Sequence, residues 1–239
     1  MDSNPKIEIL FLSKEEVEGL VTVEDAVMAS EEAYRALGEG QLMQDHCIVP
    51  IKKPNVIATM PTYLRSLNLY GVKQVGVYAK RESGDRLPSV WGSFIVLTHV
   101  ENGLPYVVMD GTAITNMRSA GGHAGVAAKY LARKDSRTLA VIGCGAQGRT
   151  GLRSLMNHFS LTLVKAYDVS AEAMSNFRAE VGKEFDVPVV PLDSARKAVQ
   201  GADIILVSST AQEPVVMEPW VEKGSFVAVF DDITAKKEQ

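Results

Sequence analysis

Cysteine is scarce. The chain carries two, Cys47 and Cys144, among 239 residues, too few for a disulfide framework. Histidine is nearly as rare, with four, and no Cys/His set has metal-ligand spacing, so no metal is expected. Long apolar runs are missing: none reaches the ~18 residues of a membrane span. Clustered positive charge is missing as well. The formal net charge is −4 and no stretch concentrates Lys and Arg, so neither nucleic acid nor an anionic membrane is an expected partner. Met1-Asp-Ser-Asn-Pro-Lys lacks the basic-then-apolar order of a secretory signal. A cytoplasmic protein is the default expectation.

What is present is an apolar fraction of 46%, enough for real cores in one large domain or two small ones. The most informative stretch is Arg137-Thr-Leu-Ala-Val-Ile-Gly-Cys-Gly-Ala-Gln-Gly-Arg149. Thr138 to Ile142 reads as a buried strand, and Gly143, Gly145 and Gly148 follow in the spacing G-x-G-x-x-G. In a dinucleotide site the first glycine makes the turn, the second admits a pyrophosphate and the third lets the next helix pack closely. Leu152, Leu155, Met156 and Phe159 then give that helix one apolar face. Its N-terminus, through Gly145, Ala146, Gln147 and Gly148, points unpaired N–H groups at an anion. A second strand, Leu161 to Tyr167, ends in Asp168, about 20 residues on, where an acidic side chain receives an adenosine ribose. No arginine follows in Val169 or Ser170 to offset repulsion of a 2′-phosphate, so the expected cofactor is NAD rather than NADP.

Upstream of this unit the pattern differs. Ile7 to Leu12 reads as a strand, and Ser13 with Glu16 forms a capping-box pattern that opens a helix. A second helix follows from Thr22 or Val23, with Ala26, Ala33, Tyr34 and Leu37 inward, and Gly38 and Gly40 end it. Ile48 to Pro61 reads as a hairpin, and Tyr70 to Tyr78, Trp91 to His99 and Tyr106 to Asp110 read as strands. A run of strands before any βα alternation implies a separate antiparallel or mixed domain. Ala113 to Ala132 is expected as one long helix whose small residues admit close packing. After it, five candidate parallel strands alternate with helices. The expected class is α/β: a doubly wound Rossmann sheet behind an N-terminal α+β domain. The expected divisions are 1–112, a connecting helix 113–136, and a nucleotide domain 137–239.

Several stretches resemble the ornithine cyclodeaminase/mu-crystallin family. They are Phe11-Leu-Ser-Lys-Glu-Glu-Val, Glu24-Asp-Ala with Glu32-Ala-Tyr-Arg-Ala, Met60-Pro-Thr-Tyr-Leu with Gly71-Val-Lys, Met109-Asp-Gly with Ile114-Thr-Asn-Met-Arg-Ser, and Ile142-Gly-Cys-Gly-Ala-Gln. The resemblance runs in order along essentially the whole chain. It implies a substrate and dimerisation domain joined to a Rossmann domain, usually in a homodimer. It also implies NAD(P)-dependent chemistry on a small amino or imino acid. Ornithine cyclodeaminase, converting L-ornithine to L-proline and ammonia, is the first expectation. Alanine dehydrogenase, ketimine or pyrroline-2-carboxylate reductase, and a non-catalytic crystallin-like nucleotide binder are the alternatives. The family runs on for many tens of residues past the end of this chain, which implies a fragment or a shortened member.

The resemblance also distributes roles. Arg118 matches the family's carboxylate-binding arginine, and a guanidinium suits a bidentate carboxylate. Lys73 matches the lysine that holds the carboxylate or polarises the carbon–nitrogen double bond. Asp232 matches the aspartate that accepts protons and steers the amine, with Asp231 adjacent. Where the family has another carboxylate-binding arginine this chain has His46, which cannot form the bidentate fork and reads equally as a surface histidine. Ser209 matches a threonine near the nicotinamide, or is simply a polar strand end.

Overall fold

The computed structural model describes residues 8–52, 55–77, 90–209, 211 and 213–230. They fall into two compact units, Met1–Thr22 with Glu31–Thr115, and Val23–Ser30 with Asn116–Gln239.

In the first unit, β1 (Leu10–Leu12) leads into α1 (Lys14–Leu20) through a capping box: Glu16 N–H donates to Ser13 Oγ at 3.3 Å, and Ser13 N–H to Glu16 Oε2 at 2.7 Å. The expected signature is therefore formed, with two otherwise orphaned donors satisfied. Next come α2 (Val23–Gly38), whose residues Val23–Ser30 belong to the second unit, and then β2 (Leu42–Gln44), β3 (Cys47–Lys52), β4 (Asn55–Leu64), β5 (Leu69–Val77), β6 (Val90–Thr98) and β7 (Pro105–Asp110). The strands form one seven-stranded sheet in the order β1-β7-β6-β5-β4-β2, with β3 also on β4. Pairing is antiparallel except for β1 on β7. The expected mixed sheet and the β3–β4 hairpin are both present.

The first unit ends within α3 (Gly111–Asn116), and in the second a π-helical segment, Met117–His123, precedes α4 (Ala124–Leu131). The single helix expected over 113–132 is thus interrupted, and it begins two residues earlier. Then β8 (Thr138–Ile142), α5 (Ala146–His158), β9 (Leu163–Tyr167), α6 (Ala171–Glu184), β10 (Val189–Pro191), α7 (Ala195–Val199), β11 (Ile204–Val207) and β12 (Phe226–Val229) alternate. Their sheet is fully parallel in the order β10-β9-β8-β11-β12, the doubly wound arrangement expected. Strand alternation divides its core. Leu139, Val141, Ile204 and Leu206 face α4, α5 and α6, while Ala140, Ile142, Ile205 and Val207 face α7. Each of these eight residues is at most 2% exposed, the near-continuous apolar signature of strands covered on both faces.

The small residues of the interrupted helix do what was expected of them. A methyl at Gly122 would lie 2.8 Å from the Ala26 carbonyl oxygen and against the Ser30 hydroxyl, so α2 approaches backbone to backbone there. The inward face of α2 differs from the expected stripe. Ala26, Val27, Ser30 and Ala36 are buried, whereas Tyr34 and Leu37 are 48% and 47% exposed. Close approach to glycines selects the small side chains, not the bulky ones. Among the described residues no helix is long and apolar enough to cross a membrane.

This packing is testable with two glycine variants. Gly122→Ala has backbone in its way and should lose about 1–3 kcal/mol of stability. Gly182→Ala, in the last turn of α6 with nothing within 4 Å of the added methyl, should gain about 0.5–1 kcal/mol. Urea unfolding with unchanged slope measures both. A neutral Gly122→Ala would refute the close approach.

Candidate functional site

Between β8 and β11 the strand order reverses, and in open parallel sheets ligands bind at the C-terminal ends of strands at that point. The glycine loop lies there. Gly143 has φ +100°, and a side chain on it would meet the Ser208 carbonyl oxygen at 2.6 Å. A side chain on Gly148 would run into the Gly143 carbonyl oxygen. Gly145 differs: nothing lies within 4 Å of the position its Cβ would take. Two glycines keep the loop tight and the middle one keeps it open, as the sequence suggested.

The helix after the loop is left uncapped. Gly145 is the N-cap of α5 and offers no side-chain acceptor. By contrast Ser170 caps α6 and Ser194 caps α7, each accepting a backbone N–H. The first turn of α5 therefore keeps donors directed outward beside open space, with the positive end of the helix dipole behind them. That arrangement fits the pyrophosphate of a dinucleotide.

The Cys144 peptide is clamped at both ends. Its N–H donates to Asp168 Oδ2 at 2.8 Å, and its carbonyl accepts from Arg149 Nη1 at 2.6 Å. Arg149 is itself held by Glu180 at 2.7 Å. Asp168 Oδ1 takes the Ser170 N–H at 2.9 Å. Asp168 thus fixes the loop, a role the sequence did not reveal, and its half-buried carboxylate retains acceptor capacity for a ribose. Burial, with Asp168 nearby, pushes the Cys144 thiol up to about 12, so this cysteine is no nucleophile.

Arg118 lies in the π segment. Its Nη1 donates to His123 Nε2 at 2.9 Å. On an α-helix, residues five apart do not face each other, but i→i+5 winding stacks them. The π segment is therefore what makes Arg118 and His123 neighbours, and no periodicity in the sequence signals it. Burial, then the adjacent guanidinium, hold the His123 pKa down at about 4. Its ring is neutral near pH 7, with Nε2 accepting and the proton on Nδ1. Gln147, at the start of α5, points its Oε1 at the Ala120 N–H, 3.0 Å away.

Lys73 lies on β5 between Met60 of β4 and Ile95 of β6. It is half-buried and shares a face with buried Val75, which opposes the picture of a solvent-facing strand lysine. His46 is exposed, and its N–H donates to Asp45 Oδ1 at 2.7 Å. Ser209 follows β11 beside Gly143, and its Oγ accepts the Ala211 N–H at 3.2 Å. Asp232 lies outside the described residues. No group of three potential metal ligands occurs among the described residues.

His123 makes stability depend on pH. Its pKa is about 4 in the folded chain against an ordinary 6.5, so between those values the unfolded chain binds more protons. The contribution is complete above 6.5 and is lost as pH falls toward 4. Unfolding free energies at pH 7 and pH 5 should fall more for wild type than for His123→Asn. An equal fall in both would refute the assignment.

Comparison with known proteins then places the chain. The model of the ornithine cyclodeaminase/mu-crystallin family matches residues 7–238. The alanine dehydrogenase of Archaeoglobus fulgidus is 35% identical over 236 residues, covering 97% of this chain and 70% of that protein. The Thermococcus litoralis Δ1-pyrroline-2-carboxylate reductase, solved with NADH and L-proline, superposes with a TM-score of 0.88 at 32% identity, covering 93% of this chain and 69% of that one. An archaeal alanine dehydrogenase dimer with bound NAD gives 0.85 at 32% identity, covering 92% and 67%. With the whole glycine loop, the small-residue segment and both sheets inside these matches, the chain belongs to the ornithine cyclodeaminase/mu-crystallin family.

Proposed function

We propose that the protein is an NAD-dependent oxidoreductase acting at the α-carbon of a small amino or imino acid. The observation that carries this reading is the uncapped start of α5 above the open face of Gly145, at the switch point of a parallel sheet. A bound nicotinamide cofactor supplies hydride exchange; the chain must hold a carboxylate and move a proton. Arg118 is the carboxylate anchor, because its guanidinium can form two parallel hydrogen bonds. Lys73 is the cation that polarises the carbon–nitrogen double bond, and Asp232 the proton acceptor.

L-ornithine is the substrate that the family resemblance suggests first. Relatives named for alanine oxidation and for pyrroline-2-carboxylate reduction stand beside an ornithine cyclodeaminase 36% identical over 154 residues, and they support their own reactions equally. All three reactions need the same hydride step and differ in the fate of the carbon–nitrogen double bond. Incubation with L-ornithine and catalytic NAD releases ammonia without net NADH if the chain cyclises ornithine. L-alanine yields net NADH if it is a dehydrogenase, and Δ1-pyrroline-2-carboxylate consumes NADH if it is a reductase. Lys73→Ala should lower whichever rate is seen by about 10²–10⁴-fold. Nucleotide binding with no turnover on any of the three would instead favour the crystallin-like alternative.

NAD is proposed over NADP because Asp168 presents a carboxylate and the next side chain, Val169, is 88% exposed and uncharged. Asp168→Ser would also release the Cys144 N–H. Asp168→Asn with Val169→Arg keeps an acceptor there, removes the charge and adds a phosphate partner. It should shift kcat/KM toward NADP by about tenfold or more. A wild type that already prefers NADP would refute the reading of Asp168.

A homodimer through residues 1–110 is proposed as the assembly, since one similar structure is a dimer. Trp91, Phe94, Val96 and the strand around Tyr106 are the expected apolar surface: the Trp91 side chain lies outside the described residues, Phe94 is 38% exposed, Val96 is half-buried and Tyr106 stacks on His99 at 4.3 Å. Ile48, Val49 and Ile51 on β3, 49–61% exposed, are the larger apolar strip on this unit. Light scattering at micromolar concentration should give twice the 25.9 kDa chain mass; the single-chain mass would refute the dimer.

A further inference from the structure

The position of Gln147 in the glycine loop suggests a nucleotide contact, but its side chain is committed elsewhere. Oε1 accepts the Ala120 N–H at 3.0 Å, and Nε2 donates to Asn116 Oδ1 at 3.4 Å. One turn along α5, Thr150 Oγ1 donates to the Asn116 carbonyl at 2.9 Å. Gln147 and Thr150 stand three apart, so they share a helix face. Their partners, Asn116 and Ala120, bracket Arg118 two residues to either side. Ala120 is wholly buried, so without Gln147 its N–H would face no water. A π turn breaks the regular i→i−4 ladder, and a side chain from another helix here supplies the acceptor.

We propose that Gln147 is a positioning residue for Arg118: its amide pins the π segment that presents the guanidinium, instead of binding the nucleotide. The proposal rests on the reading of Arg118 as the carboxylate anchor. Thr150 provides the second pin, and the His123 ring aims the guanidinium from five residues on.

Two substitutions separate this role from cofactor binding. Gln147→Met keeps the length and removes the acceptor. Gln147→Glu keeps the acceptor and places a negative charge at the start of α5, where the pyrophosphate would lie. Amide exchange of peptides covering Met117–His123 should quicken about tenfold in Gln147→Met, while NADH affinity, read by fluorescence, stays within about twofold. In Gln147→Glu the exchange should stay near wild type while NADH binding weakens. Thr150→Val, which removes the other pin, should quicken the same peptides. On whichever of L-alanine or Δ1-pyrroline-2-carboxylate is turned over, Gln147→Met should raise KM about tenfold and leave kcat within about threefold. Unchanged exchange in Gln147→Met, or exchange unchanged with NADH affinity lost, overturns the proposal. Arg118→Met distinguishes the underlying reading: if its KM is unchanged, Arg118 is not the carboxylate anchor, and the exchange arm alone decides whether Gln147 holds the segment.

Discussion

The close approach of α5 to the small-residue segment 117–131 governs the second unit. A side chain on Gly151 would meet Ala120 and Leu206, and one on Gly125 would meet Ser154 and Val27. Because the backbones nearly touch, polar groups on one helix reach the backbone of the other. Gln147 and Thr150 can satisfy Ala120 and Asn116 only at this range. The same crossing sets the height of the first turn of α5, and so of the glycine loop. Loop and Arg118 are therefore placed by one packing contact. Larger residues at the crossing would separate the helices and leave a buried donor unpaired, which is the costlier of the two effects.

Electrostatic preparation of the loop depends on which helices are capped. Serine caps on α6 and α7 consume donors that would otherwise point outward. Gly145 consumes none. The loop does not collapse to satisfy those donors, since the Cys144 peptide is tied by Asp168 on one side and Arg149 on the other. An anion arriving there meets donors already oriented, and little reorganisation is needed. The consequence is that Asp168 commits part of its acceptor capacity to the loop, and only the remainder is left for the proposed nucleotide.

The fold was largely legible because its signals are local. Alternation, the G-x-G-x-x-G spacing and Ser13 with Glu16 each report short-range geometry, and the strands, the loop and the capping box are where those signals put them. What escaped depends on contacts between distant segments. Tyr34 and Leu37 fit a helical stripe, but glycines on the π segment chose Ala26 and Ser30 as neighbours. The π winding has no pattern of its own, so nothing in the sequence connects His123 to Arg118. Gln147 enters the sequence reading through its backbone N–H at the helix start, and nothing in the sequence links its side chain to Ala120, 27 residues earlier in the chain. Lys73 was legible as to strand and burial, since its neighbours Val72 and Val75 mark a covered segment.

The π segment also decides what stands beside Arg118, a side chain that is itself exposed. Gly121, Gly122, Ala120 and Ala124 are buried around it, and a regular helix would stack Arg118 above small apolar residues at i+3 and i+4. The wider turn brings a neutral imidazole beneath it instead. A charged histidine there would repel the guanidinium, and burial combined with Arg118 itself keeps the ring neutral. The histidine therefore gives the arginine an acceptor without cancelling its positive charge. An aspartate in that place would have held the side chain more tightly and neutralised it. For a group whose proposed task is to attract a carboxylate, orientation by a neutral acceptor preserves the field that the task requires.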